Sequence, residues 1–253
     1  MRLNIFLQRA GVGSRREAER LVAEGRVSVN GAKALPTTPV EDGDAVSVDG
    51  RPLRLDTKPL PRLFMLNKPL DVLVTNKDPK GRPTIFDLPA LNPPKWPRSN
   101  PRVVYVGRLD VNSEGLLLLS SDGPLAQAMM SPANALSRLY RVRVRGSLTP
   151  ANIAELAKGI TVDGMNYRGA EFVEEFGQEG RANRWYRCVL TEGKNREVRK
   201  LFEHFGCVVN RLIRLQYGPF TLGDLPPGEI REVPPQKVKE FVDYLAKKDA
   251  APG

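Results

Sequence analysis

The sequence has 253 residues, of which 41% are hydrophobic, and its 39 Lys and Arg residues exceed its 29 Asp and Glu residues by a net charge of +10. This apolar content excludes a wholly disordered chain, because it is sufficient to bury a core, and the positive charge predicts a polyanionic partner. The 2 cysteines and 1 histidine exclude a disulfide scaffold and most histidine-based catalytic or zinc sites and favour the reducing cytoplasm, while no apolar run approaches the ~18 residues of a membrane-spanning helix.

Residues 1–50 are predicted to form a small unit in which two helices precede several strands. Apolar residues at helical spacing over residues 3–10 predict the first helix. Ser14 is expected to cap the second helix, with Glu17 completing a capping box. Alternating segments at 27–29 and 46–48 predict two strands of the same unit.

Four arginines are expected to form one basic face around the two helices: Arg9, Arg15, Arg16 and Arg20. The segment resembles the S4 RNA-binding domain in Arg-Leu at 2–3, Gly-Ser-Arg-Arg at 13–16 and Gly-Arg-Val-Ser-Val-Asn-Gly at 25–31. The resemblance implies that the four arginines contact RNA. The alternative is a generic helical hairpin whose arginines are only solvated.

The next segment, residues 51–62, is predicted to be an extended linker, because Pro52, Pro59 and Pro61 disfavour a helix. Residues 63–245 then alternate strands with helices and are expected to form a second, larger domain. Residues 246–253 are expected to form a flexible tail.

The segment most informative about chemistry spans residues 106–123. Asp110 and Glu114 imitate ligand positions of a calcium-binding EF-hand, but the twelfth position, which requires glutamate, is Ser121, so calcium binding is rejected. Four consecutive leucines at 116–119 predict a buried strand after a polar turn. In that turn, Asp110 is either a residue that caps its own backbone or a functional carboxylate.

The same segment resembles the catalytic motif of pseudouridine synthases, with Gly-Arg-Leu-Asp at 107–110 followed by a hydroxyl residue, a glycine and the leucine run. Three further blocks match that family in order: Asn-Lys-Pro at 67–69, Tyr-Arg-Val at 140–142 and Thr-Glu-Gly-Lys-Asn-Arg-Glu-Val-Arg-Lys-Leu at 191–201. The resemblance implies an α+β fold in which a largely antiparallel sheet is flanked by helices. Together with the S4 segment it points to the group that includes RsuA and RluB, and four blocks favour the RluB type: 81–87, 109–112, 195–199 and 211–214.

This resemblance implies that C1′–N1 of a uridine in RNA is broken, the base is turned, and C5 is joined to C1′, with no metal or organic cofactor. It implies that Asp110 is the catalytic carboxylate, which either attacks the sugar or removes a proton from it. Arg199 is implied as the basic residue that keeps Asp110 ionised. The spacing of Val198, Leu201 and Phe202 predicts a helix with Arg199 at the edge of its buried stripe. The alternative for Arg199 is a solvated surface position.

The resemblance also implies roles for residues around the flipped uridine. Arg108 would enter the space that the uridine leaves in its stack, and Tyr140 would stack on the flipped base as a further catalytic-site residue. Leu201 would form an apolar wall of the pocket, although core packing accounts for it equally well. Lys68 is a further candidate for RNA contact.

A predicted strand over residues 140–145 carries two different faces. Tyr140 shares one face with two valines, and Arg141, Arg143 and Arg145 occupy the other. Three arginines on one face can form a track for RNA phosphates or an ordinary solvated face, and both interpretations stay open.

The expected protein is therefore a cytoplasmic, monomeric enzyme that modifies one uridine of large-subunit (23S) ribosomal RNA, as free RNA or in an assembly intermediate. The alternatives are 16S ribosomal RNA or a transfer RNA as substrate, and a non-catalytic RNA-binding assembly factor. Three residues depart from the family pattern and leave the target open: Asp71 in place of glycine, Ser113 in place of threonine, and Glu114. The lone pair His204 and Cys207 does not make a zinc site.

Overall fold

The computed structural model describes residues 2–41, 43–53, 60–97, 100–175 and 182–250, apart from the side chains of residues 9, 249 and 250. The chain divides into two compact units, Met1–Leu60 and Pro61–Gly253. Within the described ranges, no helix is both long enough and apolar enough to cross a membrane.

The first unit packs two helices on a small antiparallel sheet. Its elements are, in chain order, α1 (Leu3–Arg9), α2 (Arg15–Ala23), β1 (Val27–Val29), β2 (Ala32–Lys33), β3 (Val46–Val48) and β4 (Arg51–Leu53). The strands lie in the order β2-β1-β3-β4. Ser14 accepts a hydrogen bond from the Glu17 amide at 3.3 Å, which confirms the predicted helix cap. The predicted helices and strands of this unit are confirmed.

The expected start of the linker is wrong. Arg51–Leu53 forms β4 and pairs with β3 across a turn in which Asp49 and Gly50 have φ values of 50° and 74°. A turn of this kind closes a tight hairpin and brings the next residues back onto the sheet. Pro52 is tolerated in β4 because this strand lies at the edge of the sheet, where one side of its backbone is unpaired. Residues 54–59 of the expected linker lie outside the described residues.

The second unit contains the remaining elements. They are β5 (Leu63–Lys68), β6 (Val104–Val106), β7 (Glu114–Ser120), α3 (Gly123–Met130), β8 (Arg138–Arg145), α4 (Pro150–Lys158), β9 (Ile160–Val162), β10 (Met165–Tyr167), β11 (Glu171–Glu174), β12 (Asn183–Leu190), α5 (Glu197–His204), β13 (Val208–Tyr217), β14 (Phe220–Thr221), β15 (Ile230–Glu232) and α6 (Pro235–Ala250).

Nine of these strands form the main sheet, whose central path has the order β11-β12-β8-β13-β7-β5-β15 among the described residues. The additional strands β14 and β6 pair with β13 and β7, respectively. Within the described sheet, β13 and β7 are parallel to each other and the other pairings are antiparallel. The predicted α+β class with a largely antiparallel sheet is confirmed.

The four-leucine run lies in β7 and feeds two separate cores. Leu116 and Leu118 pack with residues of α3 and α6 on one face of the sheet. Leu117 and Leu119 pack on the opposite face, against the segment between β5 and β6. All four side chains are 0% exposed, which confirms the buried strand. Alternation along a strand explains how one apolar run serves both faces.

A third core lies beneath α4 and α5, where Val142 and Val144 of β8 pack with Leu201 and Phe202 of α5. Tyr140 of β8 packs against this core and also against the core that contains Leu117 and Leu119. Tyr140 therefore lies where two cores meet on one face of the sheet.

The predicted start of the flexible tail, at residue 246, is wrong. The final helix, α6, continues to Ala250, because Leu245 is anchored in the core and the residues that follow favour helix. Lys248 extends this attachment, since its ammonium donates to the carbonyl of Asn134 at 2.6 Å. Residues 251–253 lie outside the described residues.

Candidate active site

A cavity of about 540 Å³ opens on the second unit between the turn before β7, strands β8 and β13, and the start of α5. Its lining includes six cationic and three acidic side chains: Arg108, Arg138, Arg168, Lys194, Arg196, Arg214, Asp110, Glu192 and Glu197. The excess of positive charge matches a phosphodiester chain, because phosphates are the main source of electrostatic attraction in RNA.

Asp110 lies in the turn between β6 and β7, and its carboxylate is 38% exposed. The backbone of the turn is closed by the Ser113 amide, which donates to the carbonyl of Asp110 at 3.0 Å. Among the described residues, the carboxylate itself accepts no hydrogen bond from the turn. The structure therefore does not support the interpretation of Asp110 as a residue that caps its own backbone, and it leaves the carboxylate oxygens available to a ligand.

Two buried cations hold the backbone that follows Asp110. Lys68 Nζ donates to the carbonyls of Val111 at 3.4 Å and Ser113 at 2.8 Å. Arg199 Nη2 donates to the carbonyl of Asn112, which lies between them, at 2.8 Å. Three successive carbonyls are thus bound by side chains from β5 and α5, so the position of Asp110 depends on two distant elements of the fold.

The prediction that Lys68 contacts RNA is wrong. Its side chain is 0% exposed, and its ammonium donates to three backbone carbonyls, those of Pro69, Val111 and Ser113. Burial lowers the pKa of Lys68 to about 8, against the opposing attraction of Asp110 and other nearby carboxylates. A lysine at the end of a buried strand is drawn into the interior when an adjacent turn supplies acceptors for it. Lys68 is therefore a positioning residue for the Asp110 turn.

Arg199 reaches the same turn from α5. Its side chain is 6% exposed, and its Nε lies 3.9 Å from Oδ2 of Asp110. Nη1 donates to the carbonyl of Val209 at 3.1 Å, which secures the guanidinium against the start of β13. Burial lowers the pKa of Arg199, and the nearby positive charge of Arg196 lowers it further. Arginine nevertheless stays protonated. The buried position excludes the alternative of a solvated surface arginine.

Arg108 and Tyr140 line the same cavity as Asp110. Arg108 is exposed, and within the described part of the chain it has no hydrogen-bond or ion-pair partner. Tyr140 is half-buried between two cores. The structure therefore brings together a free basic side chain, an aromatic ring and a carboxylate, as the sequence predicted. Their roles stay predictions.

Of the two predicted roles of Leu201, core packing is confirmed and the pocket wall is wrong. It is 1% exposed and packs within the core beneath α5, and the cavity is lined by Val198 and Leu212 instead. Val198 and Leu201 are about one helical turn apart in α5. Val198 lies at the end of the helix that borders the cavity, and Leu201 lies deeper in the core.

Three arginines of β8, Arg141, Arg143 and Arg145, do not line the cavity. Val142 and Val144 are buried, whereas Arg143 and Arg145 are exposed, which confirms the predicted alternation of faces. Arg141 donates to the carboxylate of Glu175 through two bonds of 2.8 Å and lies over the ring of Trp185. These arginines face away from Tyr140, so any contact with RNA lies outside the cleft.

The sequence reasoning assigned no role to several residues of the cavity. Arg138 and Arg214 are 7% and 2% exposed, although both are arginines on strands of the sheet. Glu197 is also buried, and burial, reinforced by the adjacent charge of Glu192, raises its pKa to about 7. The blocks at 191–201 and 211–214 contain Glu197 and Arg214, but a motif does not show which of its charged residues point inward, and Arg138 lies outside the matched blocks.

The backbone around Gly115 shows why the motif contains a glycine five residues after Asp110. Gly115 has a φ of 99°, and a Cβ atom at this position would lie 2.3 Å from the carbonyl oxygen of Arg214. A side chain would therefore collide with the backbone of β13. The close approach joins the Asp110 turn directly to the strand that carries Arg214.

Comparison with known proteins identifies the family of the second unit. Residues 62–204 match the RNA pseudouridylate synthase family, over more than half of the chain. The chain belongs to this family. Residues 1–46 match the S4 domain. The predicted combination of an S4 domain with a pseudouridine synthase domain is confirmed.

Several relatives resemble the whole chain. It is similar to the ribosomal large subunit pseudouridine synthase B of Pseudomonas aeruginosa, with 41% identity over 99% of this chain, and it spans 64% of the length of that relative. It is also similar to an uncharacterized RNA pseudouridine synthase of Rickettsia felis, with 41% identity over 92% of this chain and 96% of the relative. The first of these confirms the predicted likeness to the RluB type.

A solved structure shares the fold of this chain. The crystal structure of a pseudouridylate synthase aligns with 95% of this chain and 99% of its own, at a TM-score of 0.64 and 24% sequence identity. At this level of identity the likeness is evidence for the fold.

The three departures from the family pattern have simple structural accounts. Asp71 adopts a φ of 60°, a left-handed conformation that glycine adopts freely and aspartate tolerates. The hydroxyl of Ser113 is buried and lies 3.5 Å from Arg199 Nη2. The carboxylate of Glu114 accepts two bonds from Arg211, at 2.7 and 3.0 Å, which compensate its charge. None of the three changes removes a group from the cavity.

The basic residues of the S4 unit differ in their surroundings. Arg15 pairs with Glu19, and Arg20 pairs with Glu17 and Glu24. Arg16 is exposed and has no such partner in the part of the chain that the structure describes. The side chain of Arg9 lies outside the described residues. Of the three arginines in this set whose side chains are described, Arg16 is therefore the one that offers its full charge to a ligand.

Among the described residues, no group of three or more His, Cys, Asp or Glu side chains is arranged so that it could hold a metal ion.

Proposed function

We propose that this protein isomerises one uridine of 23S ribosomal RNA to pseudouridine in the bacterial cytosol, acting on free RNA or on an assembly intermediate. The choice of RNA is supported by the relatives named ribosomal large subunit pseudouridine synthase B, which include one from Xanthomonas axonopodis with 40% identity over 99% of this chain. The S4 match supports an RNA-binding role for the first unit. The observation that carries the activity is the Asp110 carboxylate beside Arg199 in a positively charged cavity.

The target uridine must leave its stack before its C1′ can reach Asp110. Arg108 is the residue that we assign to the vacated space, because it is exposed, free of described partners and located at the cavity. Its planar guanidinium can stack on bases as well as donate hydrogen bonds to them. Tyr140 then supplies a surface on which the flipped base stacks.

Asp110 is the group that we assign to the sugar. A glycoside hydrolase normally needs two carboxylates, because one must protonate the leaving group while the other activates water or attacks the sugar. Isomerisation keeps the detached base in the cavity, so a single ionised carboxylate suffices. Arg199 places a buried positive charge 3.9 Å from that carboxylate. Asp110 either attacks C1′ or removes a proton from the ribose.

Further RNA contacts are proposed outside the cavity. Arg15 and Arg16 would contact phosphates from the S4 unit, with Arg16 contributing more because Arg15 shares its charge with Glu19. Arg143 is exposed on the open face of β8 and would contact phosphates beyond the target site. Such contacts position the RNA without reading its sequence.

The deciding experiment is pseudouridine mapping of ribosomal and transfer RNA from a strain that lacks the gene, with the strain complemented by the native chain or by Asp110→Asn. We expect one 23S signal to disappear in the deletion strain, to return with the native chain, and to stay absent with the variant. A signal lost from 16S ribosomal RNA or from a transfer RNA would overturn the choice of substrate. Unchanged maps would favour the alternative of a non-catalytic assembly factor.

A further inference from the structure

Arg214 is a buried cation that the roles described so far leave unused. It lies on β13, is 2% exposed and lines the cavity that contains Asp110. Its Nε donates to the carbonyl of Leu116 at 2.7 Å. Its Nη2 is buried and has no hydrogen-bond partner among the described residues. An unpaired donor on a buried charge is costly, so this nitrogen calls for an acceptor beyond those that the described residues supply.

The neighbouring Arg138 shows that burial of an arginine in this cavity does not by itself leave a donor unpaired. Arg138 Nη1 donates to the carbonyls of Leu136 and Thr191, at 3.0 and 3.1 Å. Its Nη2 donates to the hydroxyl of Tyr217 at 2.9 Å. The two arginines share a residue type, a cavity and a degree of burial, and they differ in whether Nη2 is satisfied.

The sheet register places Arg214 beside the proposed stacking residue. Arg214 of β13 is directly opposite Tyr140 of β8 in an antiparallel pair. Directly opposed residues project from the same face of a sheet, with Cβ atoms about 4.5–5.5 Å apart. A planar base that lies on the ring of Tyr140 therefore has its edge within reach of the Arg214 guanidinium.

The depth of Arg214 indicates which part of a nucleotide it meets. Asp110 is 38% exposed and must reach the ribose, whereas Arg214 is almost completely buried. The base projects from the ribose into the cavity, while the phosphates continue along the RNA chain outside it. The acceptors that a uracil base presents are its two carbonyl oxygens, O2 and O4.

We propose that Arg214 binds the target base, donating from Nη2 to a carbonyl oxygen of uracil, and that it stabilises the base after the base is detached. The proposal rests on the roles proposed above for Asp110 and Tyr140. When C1′–N1 breaks, the bonding electron pair stays with the base, which becomes an anion with its charge shared by N1, O2 and O4. After the base turns and C5 joins C1′, the proton on C5 is lost and N1 gains one, so the product is an isomer of the substrate.

A fixed guanidinium suits this intermediate for two reasons. It stays protonated throughout. It is also buried and held in place, and a preorganised charge acts strongly on charge that develops beside it during the reaction. Attack on C1′ and loss of a ribose proton both release the base as an anion. The role of Arg214 is therefore the same in either route open to Asp110.

The test uses a synthetic RNA that spans the uridine identified by mapping, made with uridine, 2-thiouridine or 4-thiouridine at that single position. Sulfur is a weaker hydrogen-bond acceptor than oxygen. Single-turnover rates are measured as loss of tritium from C5 of the target base. For the native chain we expect one of the two thio substitutions to slow the reaction. For Arg214→Met we expect a rate about 10²–10³-fold below the native rate, no further loss with that thio substitution, and RNA affinity within a few-fold of native.

Arg138→Met is the matched control, since it removes a buried arginine of the same cavity whose donors are already taken. It is expected to lower thermal stability and to retain the native response to the thio substitutions. Arg214→Lys keeps the charge but lacks the planar guanidinium with its several N–H donors. It replaces Arg214→Met if that variant does not fold, and it too should lose the thio response.

Three results would overturn the proposal. They are a native rate for Arg214→Met, a native chain that is indifferent to both thio substitutions, and a thio response in Arg214→Lys equal to the native one. Asp110→Asn separates this failure from that of the proposed function. If Asp110→Asn is inactive while Arg214→Met is fully active, only the role of Arg214 is lost, whereas an active Asp110→Asn removes the catalytic assignment itself.

Discussion

Arg199 Nε lies 3.9 Å from the Oδ2 atom of Asp110, although 88 residues separate the two in the chain. The contact is possible because the same guanidinium donates to the carbonyl of Asn112 and thereby holds the turn beside it. Arg199 Nε has no hydrogen-bond partner among the described residues. The pair thus combines a buried cation with a half-exposed carboxylate that remains accessible to a ribose.

Replacement of Asp110 by asparagine should abolish pseudouridine formation. The amide has nearly the same shape but is not ionised, so it can neither attack C1′ nor accept a proton from the ribose. RNA affinity should stay within a few-fold of native, because the phosphate contacts are unchanged. Single-turnover assays and RNA binding measured on the same preparation check both statements. Full turnover by this variant would remove Asp110 from the mechanism.

Arg199→Met should lower kcat by about 10²-fold or more with little change in RNA affinity, since it removes the charge that stabilises ionised Asp110. It should also destabilise the second unit by about 2–4 kcal/mol, because the carbonyls of Asn112 and Val209 lose charged donors. Arg199→Lys keeps the charge without the fork and should recover part of kcat. A variant with reduced RNA affinity and native kcat would instead make Arg199 a binding residue.

Lys68→Met tests whether this lysine holds the Asp110 turn or touches RNA. Loss of the bonds to Val111 and Ser113 should lower stability by about 2–4 kcal/mol and reduce kcat, while the salt dependence of RNA binding stays native. Lys80→Met is the control, because Lys80 is an exposed lysine in the segment between β5 and β6. It should change the free energy of unfolding by no more than about 0.5 kcal/mol. A shallower salt dependence in Lys68→Met would indicate a direct phosphate contact.

Glu197 should make the stability of the second unit depend on pH. Its pKa is raised to about 7 in the folded chain, so the folded state binds the proton more tightly than the unfolded state, whose pKa lies near 4.3. This stabilisation is complete below about pH 4 and is lost as pH rises to about 7. The free energy of unfolding of Glu197→Gln should therefore rise relative to that of the native chain by up to about 4 kcal/mol between these limits.

Urea unfolding followed by tryptophan fluorescence measures this effect in the second unit, because Trp96 and Trp185 are the chain's 2 tryptophans and both lie there. If the free energies of unfolding of the native chain and the variant changed with pH in parallel, the pKa of Glu197 would not be raised on folding. This result would contradict the prediction.

Arg16→Ala should reduce the slope of log affinity against log salt for RNA binding by about one, the contribution of a single phosphate contact. Arg20→Ala is the matched comparison from the same helix, and it should change the slope less, because Glu17 and Glu24 already compensate its charge. Affinity titrations over a range of salt concentrations decide the matter. A larger effect for Arg20 than for Arg16 would contradict the assignment.

Local pattern determined most of the secondary structure near the site. The Ser14 cap, the leucine run at 116–119 and the apolar stripe of α5 each depend on residues close together in the chain, so spacing alone predicted them. The family motifs located Asp110, Arg108, Tyr140 and Arg199 as candidates, because each belongs to a short block of recognisable residues.

Only the tertiary structure decided which charged side chains are buried and what they contact. Lys68 resembles a surface lysine in sequence, and two of its three acceptors come from a turn more than forty residues later. Leu201 and Arg214 each lie in a matched block, yet one faces the core and the other lines the cavity. These outcomes depend on the register of β8 with β13 and on the packing of α5, which are set by contacts between residues far apart in the chain and not by local spacing.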